Sequence, residues 1–148
     1  MRWPPISTHR SKTSPTTRFA VTYLLDTHPF LWLVSGDRRL STAVFKAYED
    51  PANRFLLSLA SIWEMAIKIS LGKLALTVDL NDLLVQARAK QGINFLAIEV
   101  PHVLQVSTMP FHHRDPFDRL LAAQARTEKL PIVSIDDSFD AYGVTRYW

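Results

Sequence analysis

From Thr22 onward the chain alternates short apolar runs with longer stretches of helical period. TYLLD, FLLS, NFLAIEV and IVSID are the runs, and between them apolar residues recur every three or four positions. Runs that are apolar at every position suit strands buried on both faces. Connections of helical length between them suit right-handed crossovers. The expectation is an α/β domain with a central parallel sheet of four to five strands and helices on both faces. A chain of 148 residues is the size of one such domain, and it can bury a core without disulfides or a structural metal.

Local signals divide the chain further. Pro29 suits the first turn of a short helix over 28–34, and Ser41 caps a second over 41–50. FLLS, 55–58, reads as a buried strand, followed by a helix through LASIWEMAIKISLG that Gly72 ends. Asp79 and Gly92 bound another helix. NFLAIEV, 94–100, is a strand, PHVLQVSTM a short helix, DPFDRLLAAQARTEK a longer one, IVSID a buried strand and VTRYW an edge strand.

Composition removes several chemistries. The chain has no cysteine, which excludes disulfides, zinc–thiolate sites and thiol nucleophiles and leaves oxygen or imidazole to hold any metal. Its longest apolar run, FLLSLASIW, is too short and too broken by serine to span a bilayer. The net charge of +3 is unevenly placed. Of 17 basic residues four lie in the first twenty, with no acid among them, leaving 13 against 14 acids in the rest. Nucleic-acid binding therefore needs a local basic groove rather than a basic body. Residues 1–20, rich in proline, serine and threonine, are expected to be disordered or absent from the natural protein. Val21 stands where a GUG codon would start translation, and Pro4, Pro5 and Pro15 argue against the amphipathic helix of a transit peptide.

Four carboxylates have a route to one rim. Asp26 and Asp136 end strands at the sheet edge where open α/β folds bind ligands. Asp118 lies in the first turn of the helix before the last buried strand, and Glu64 about two turns into the helix after FLLS. Each has an ordinary use as well. Asp26 and Asp136 are placed to cap the helical turns after their strands, Asp115 with Pro116 and Asp118 reads as a helix start, and Glu64 with Lys68 is an i, i+4 pair. Four acids in one pocket repel one another unless a cation joins them. Magnesium or manganese, hard ions that take oxygen ligands and keep waters for a phosphate to replace, fit that need.

LLDTHPFLW, SIWEMAIKISLGKL, HHRDPFDRLLAAQA and IVSIDDSF with a terminal YGVTRYW, in this order over 22–148, resemble the PIN-domain nucleases, and among them the VapC-type toxins. The resemblance implies a PIN-like single domain over 21–148. It implies a metal-binding and catalytic quartet of Asp26, Glu64, Asp118 and Asp136 that holds Mg2+ or Mn2+. Thr27, Asp115 and Ser134 are then supporting residues. It further implies endoribonuclease activity against structured RNA that inhibits translation and growth, a homodimer in the cytoplasm, and a VapB-type antitoxin that occludes the pocket.

Lys68, Arg114 and Arg119 are candidates for phosphate contact, with surface charge or pairing to a nearby acid as their other use. His112 and His113 read as loop residues, and Trp32 and Trp63 as core or dimer contacts. A catalytically silent module that binds antitoxin or RNA is the competing reading, and the intact quartet argues against it. A receiver-type phosphoacceptor wants a lysine after a late strand, which IVSIDDS does not offer.

Overall fold

The computed structural model describes residues 20–112 and 115–148. The expectations for the N-terminal extension and for His113 and Arg114 fall on residues 1–19 and 113–114, outside that range. The elements run β1 (Thr22–Leu25), α1 (Thr27–Ser35), α2 (Thr42–Glu49), β2 (Arg54–Ser58), α3 (Leu59–Ser70), α4 (Leu80–Ala89), β3 (Asn94–Leu96), α5 (Val100–Thr108), α6 (Pro116–Glu128), β4 (Ile132–Val133), a 3-10 helix (Asp137–Tyr142) and β5 (Arg146–Tyr147).

All five strands are parallel, in the order β3-β2-β1-β4-β5. The chain builds outward from β1 to β2 and β3, then returns across β1 to add β4 and β5 on its other side. Neighbouring connections therefore leave the sheet in opposite directions between β1 and β4. That divergence opens a crevice at the carboxyl ends of those two strands. The terminal VTRYW supplies the edge strand, as its pattern suggests.

Alternation along β1 sorts the core into two layers. Tyr23 and Leu25 face one layer with Phe30 and Leu33 of α1, Val44 and Tyr48 of α2, Met65 of α3 and Ala87 of α4. Leu24 faces the other with Leu121, Ala122 and Ala125 of α6 and Phe139 and Tyr142 of the 3-10 helix. Helices thus cover both faces, and the residues of β1, β2 and β4 that point away from the edges find a core on either side.

Caps fix the helix starts. Ser41 accepts from the Val44 amide, Ser58 from Ala60, and Asp115 from Phe117 and Asp118. Asp79 occupies the start of α4 but makes no side-chain capping bond, so its expected role is not realised. Gly72, just past α3, has φ 69°, a left-handed conformation that a side chain would strain. Among the described residues no helix is long and apolar enough to cross a membrane.

Candidate active site

Asp26 follows the last residue of β1 and begins α1. One carboxylate oxygen accepts from the Thr27 amide at 2.8 Å, and the other accepts from the Ser134 hydroxyl at 2.8 Å. Ser134 lies just past β4, so this bond closes the crevice between the two diverging strands. The same hydroxyl accepts from the Asp136 amide at 3.0 Å. Asp136 in turn starts the 3-10 helix by accepting from the Ser138 amide at 2.9 Å. On the other side the Thr27 hydroxyl donates to Glu64 Oε1 at 2.8 Å. Thr27, through its hydroxyl and its amide, and Ser134, through its hydroxyl, thereby link Glu64, Asp26 and the backbone of Asp136.

Asp118 lies in the first turn of a separate helix, α6. Asp115 caps that helix, accepting from the Phe117 amide at 2.8 Å and from the Asp118 amide at 3.3 Å. Phe117, one residue before Asp118, makes an edge contact with Trp63, one residue before Glu64, at 5.0 Å between ring centroids. That contact holds the start of α6 against α3.

Burial raises the Asp26 carboxyl above its ordinary range. The hydrogen bonds from Ser134 and Thr27 work against the rise, the charge of Glu64 adds to it, and His28 opposes it. Glu64 is buried and has Lys68 Nζ 3.7 Å from Oε2. Lys68 is thus placed beside the site, and its four-residue spacing from Glu64 is the favourable one.

Among the described residues no three histidine, aspartate or glutamate side chains converge into a ready-made metal cage. Magnesium does not require one, since it is commonly held by one or two carboxylates with waters and substrate oxygens completing the shell. The donor set fits such an ion. It is all oxygen, its two most enclosed carboxylates are both held by Thr27, Glu64 through the hydroxyl and Asp26 through the amide, and the charge of Glu64 raises the pKa of Asp26.

One residue departs from its expected place. Arg119 is buried, and its guanidinium donates to the carbonyls of Pro110 at 2.9 Å, Val106 at 3.2 Å and Met109 at 3.4 Å. It stacks under Phe111, 4.1 Å from the ring centroid. Those bonds tie α6 to the end of α5, so the guanidinium is occupied within the fold. Trp63 is 57% exposed and is not a core residue of this chain, whereas Trp32 packs against the core with its edge to Trp148. His112 lies in the loop before α6, its ring 5.2 Å from that of Tyr142. Sequence reasoning passed over Gln124 and Ser58, a buried hydrogen-bonded pair joining α6 to the start of α3. The available signal was a lone amide among the alanines of LLAAQA.

Fold and site together define an α/β domain with Asp26 and Glu64 held beside the switch point of a parallel sheet. The PIN domain model matches residues 23–144, and the chain belongs to the PIN domain family. Similar solved structures share the fold. A chain in the structure of VapBC2 from Rickettsia felis bound to a DNA fragment from their promoter is 12% identical, with a TM-score of 0.65 over 86% of this chain and 98% of that one. In DNA-bound VapBC from Salmonella typhimurium the values are 14%, 0.63, 85% and 96%, and in FitAcB from Neisseria gonorrhoeae 19%, 0.59, 85% and 96%. No curated protein sequence matches.

Proposed function

We propose that the chain is a VapC-type toxin of a toxin–antitoxin system. It is an Mg2+- or Mn2+-dependent endoribonuclease that cleaves structured RNA, inhibits translation and growth, and is neutralised by a cognate VapB-type antitoxin. It acts as a homodimer in the cytoplasm. The observation that carries this reading is the hydrogen-bonded row Glu64, Thr27, Asp26, Ser134 and Asp136 at the β1–β4 crevice. Membership of the PIN family supports it. So does likeness in fold to chains of the DNA-bound VapBC and FitAB structures.

Asp26 and Glu64 would hold the cation, with Asp118 and Asp136 at the same rim. When bound, that ion supplies activation of water and stabilisation of the leaving oxygen in phosphodiester hydrolysis. The chain's own residues prepare the place. Ser134 and Thr27 donate to one oxygen lone pair on Asp26 and Glu64 respectively, which fixes the rotamer of each carboxylate and leaves its remaining lone pairs for a ligand. Lys68 offsets part of the negative charge that would repel an RNA backbone. Asp115 holds the first turn of α6 closed, so that Asp118 projects from an ordered helix end.

The experiment is cleavage of a structured RNA by the purified full chain. EDTA should abolish it, magnesium or manganese should restore it, and Asp26→Asn should be inactive while folded. Cleavage that survives exhaustive chelation overturns the metal dependence, and a parental rate for Asp26→Asn overturns the site.

A further inference from the structure

Gln124 is 0% exposed in the middle of α6, among the buried Leu121, Ala122, Ala123 and Ala125. Its Oε1 accepts from the Ser58 hydroxyl, and its Nε2 donates to the Ala97 carbonyl at 3.3 Å. Nε2 also lies 3.5 Å from His102 Nδ1, the nitrogen that accepts from the Glu99 amide at 3.0 Å. Ser58 itself caps α3, accepting from the Ala60 amide at 3.0 Å. One amide therefore joins α6, the start of α3 and the chain just past β3. Burying an amide for stability alone is a poor exchange, because an apolar side chain of similar shape would fill the same space without desolvation. Two directional bonds do what an apolar residue cannot, which is to fix one register between the elements they join.

That register bears on the acids. Ser58 meets Gln124, and Trp63 meets Phe117, so numbers rise along α3 as they fall along α6 and the two helices run antiparallel in contact. Glu64 lies six residues beyond Ser58, and Asp118 six residues before Gln124. Each is about 9 Å along its helix from the clamp at 1.5 Å per residue, and both lie at the same end. We propose that Gln124 is a positioning residue for the acidic site: by pinning α6 to the first turn of α3 it sets the offset between Glu64 and Asp118. A slip of one residue would move one acid about 1.5 Å past the other, enough to spoil a shared ligand shell. This inference rests on the metal-site reading given above.

The test uses the full chain with Mn2+ alone as probe, followed by RNA cleavage. Gln124→Met keeps the volume and removes both hydrogen bonds. Ser58→Ala removes the same bond from the other side and serves if the first variant does not fold. Expected for the folded variant are a parent-like circular dichroism spectrum and Mn2+ affinity about 10-fold weaker by calorimetry, the lower end for loss of a residue that orients a metal ligand. The kcat should fall with KM for RNA unchanged. The two substitutions combined should weaken Mn2+ binding by less than the sum of their separate effects, because they share the Ser58–Gln124 bond. Parental Mn2+ affinity in folded Gln124→Met or Ser58→Ala overturns the positioning role while leaving the metal site standing. A parent chain that takes up no Mn2+ overturns the metal reading and this inference with it.

Discussion

Arg119→Met separates a structural arginine from an RNA-binding one. The substitution keeps the aliphatic stem and removes the guanidinium that donates to the carbonyls of Pro110, Val106 and Met109 at 2.9, 3.2 and 3.4 Å. Hydrogen bonds from a charged donor contribute about 1.5–3 kcal/mol each, and two of the three are short enough to count in full. The acceptors sit at the end of α5, where water recovers part of the loss, so the net cost is set at about 2–4 kcal/mol. For a domain of this size that lowers Tm by roughly 5–15 °C. Urea unfolding gives the free energy, and cleavage at low temperature, where the variant is still folded, gives KM. The expected result is a lower midpoint with KM close to the parent's. A variant as stable as the parent whose KM for RNA rises several-fold would refute the assignment and restore Arg119 to the substrate.

Asp118→Asn keeps the shape of the first turn of α6 and removes the charge, so it should eliminate cleavage and growth inhibition with Tm unchanged. Asp115→Ala should instead cost about 0.5–2 kcal/mol, the usual loss for a helix cap, with cleavage weakened but present; equal inactivity in a heat-stable Asp115→Ala would place that residue in the metal site. Asp26 also predicts a pH dependence for the metal-free chain. Its carboxyl is raised in the folded state, so between the unfolded and folded pKa the folded chain binds more protons than the unfolded one, and stability falls as pH rises. The contribution is full below the ordinary aspartate range and gone above the raised value. Chemical denaturation in EDTA should show that decline, and Asp26→Asn should flatten it; an identical slope in both would contradict the shift. Zinc, which prefers nitrogen and sulfur ligands, should support cleavage poorly where magnesium or manganese restores it.

The sequence by itself determined the features that depend on neighbours along the chain. Four largely apolar runs separated by helical periods pointed to a parallel sheet covered on both faces. Ser41, Asp115 and Gly72 mark helix ends because capping and left-handed turns involve residues two to four positions apart. Asp26 and Asp136 were legible as candidates for the same reason: they follow apolar runs, and in such sheets the strand ends gather at one edge. The partners of those acids were not legible. Ser134 reaches Asp26 across 108 positions, Thr27 reaches Glu64 across 37, and Ser58 reaches Gln124 across 66. Those pairings are set by strand order and by the packing of α3 against α6, neither of which leaves a periodic trace. Arg119 shows the same limit from the other side. Beside Asp118 in DPFDR it reads as a charge for a phosphate, yet one position along a helix turns a side chain by about 100°. Tertiary packing alone decided that this turn sends Arg119 into the carbonyls at the end of α5.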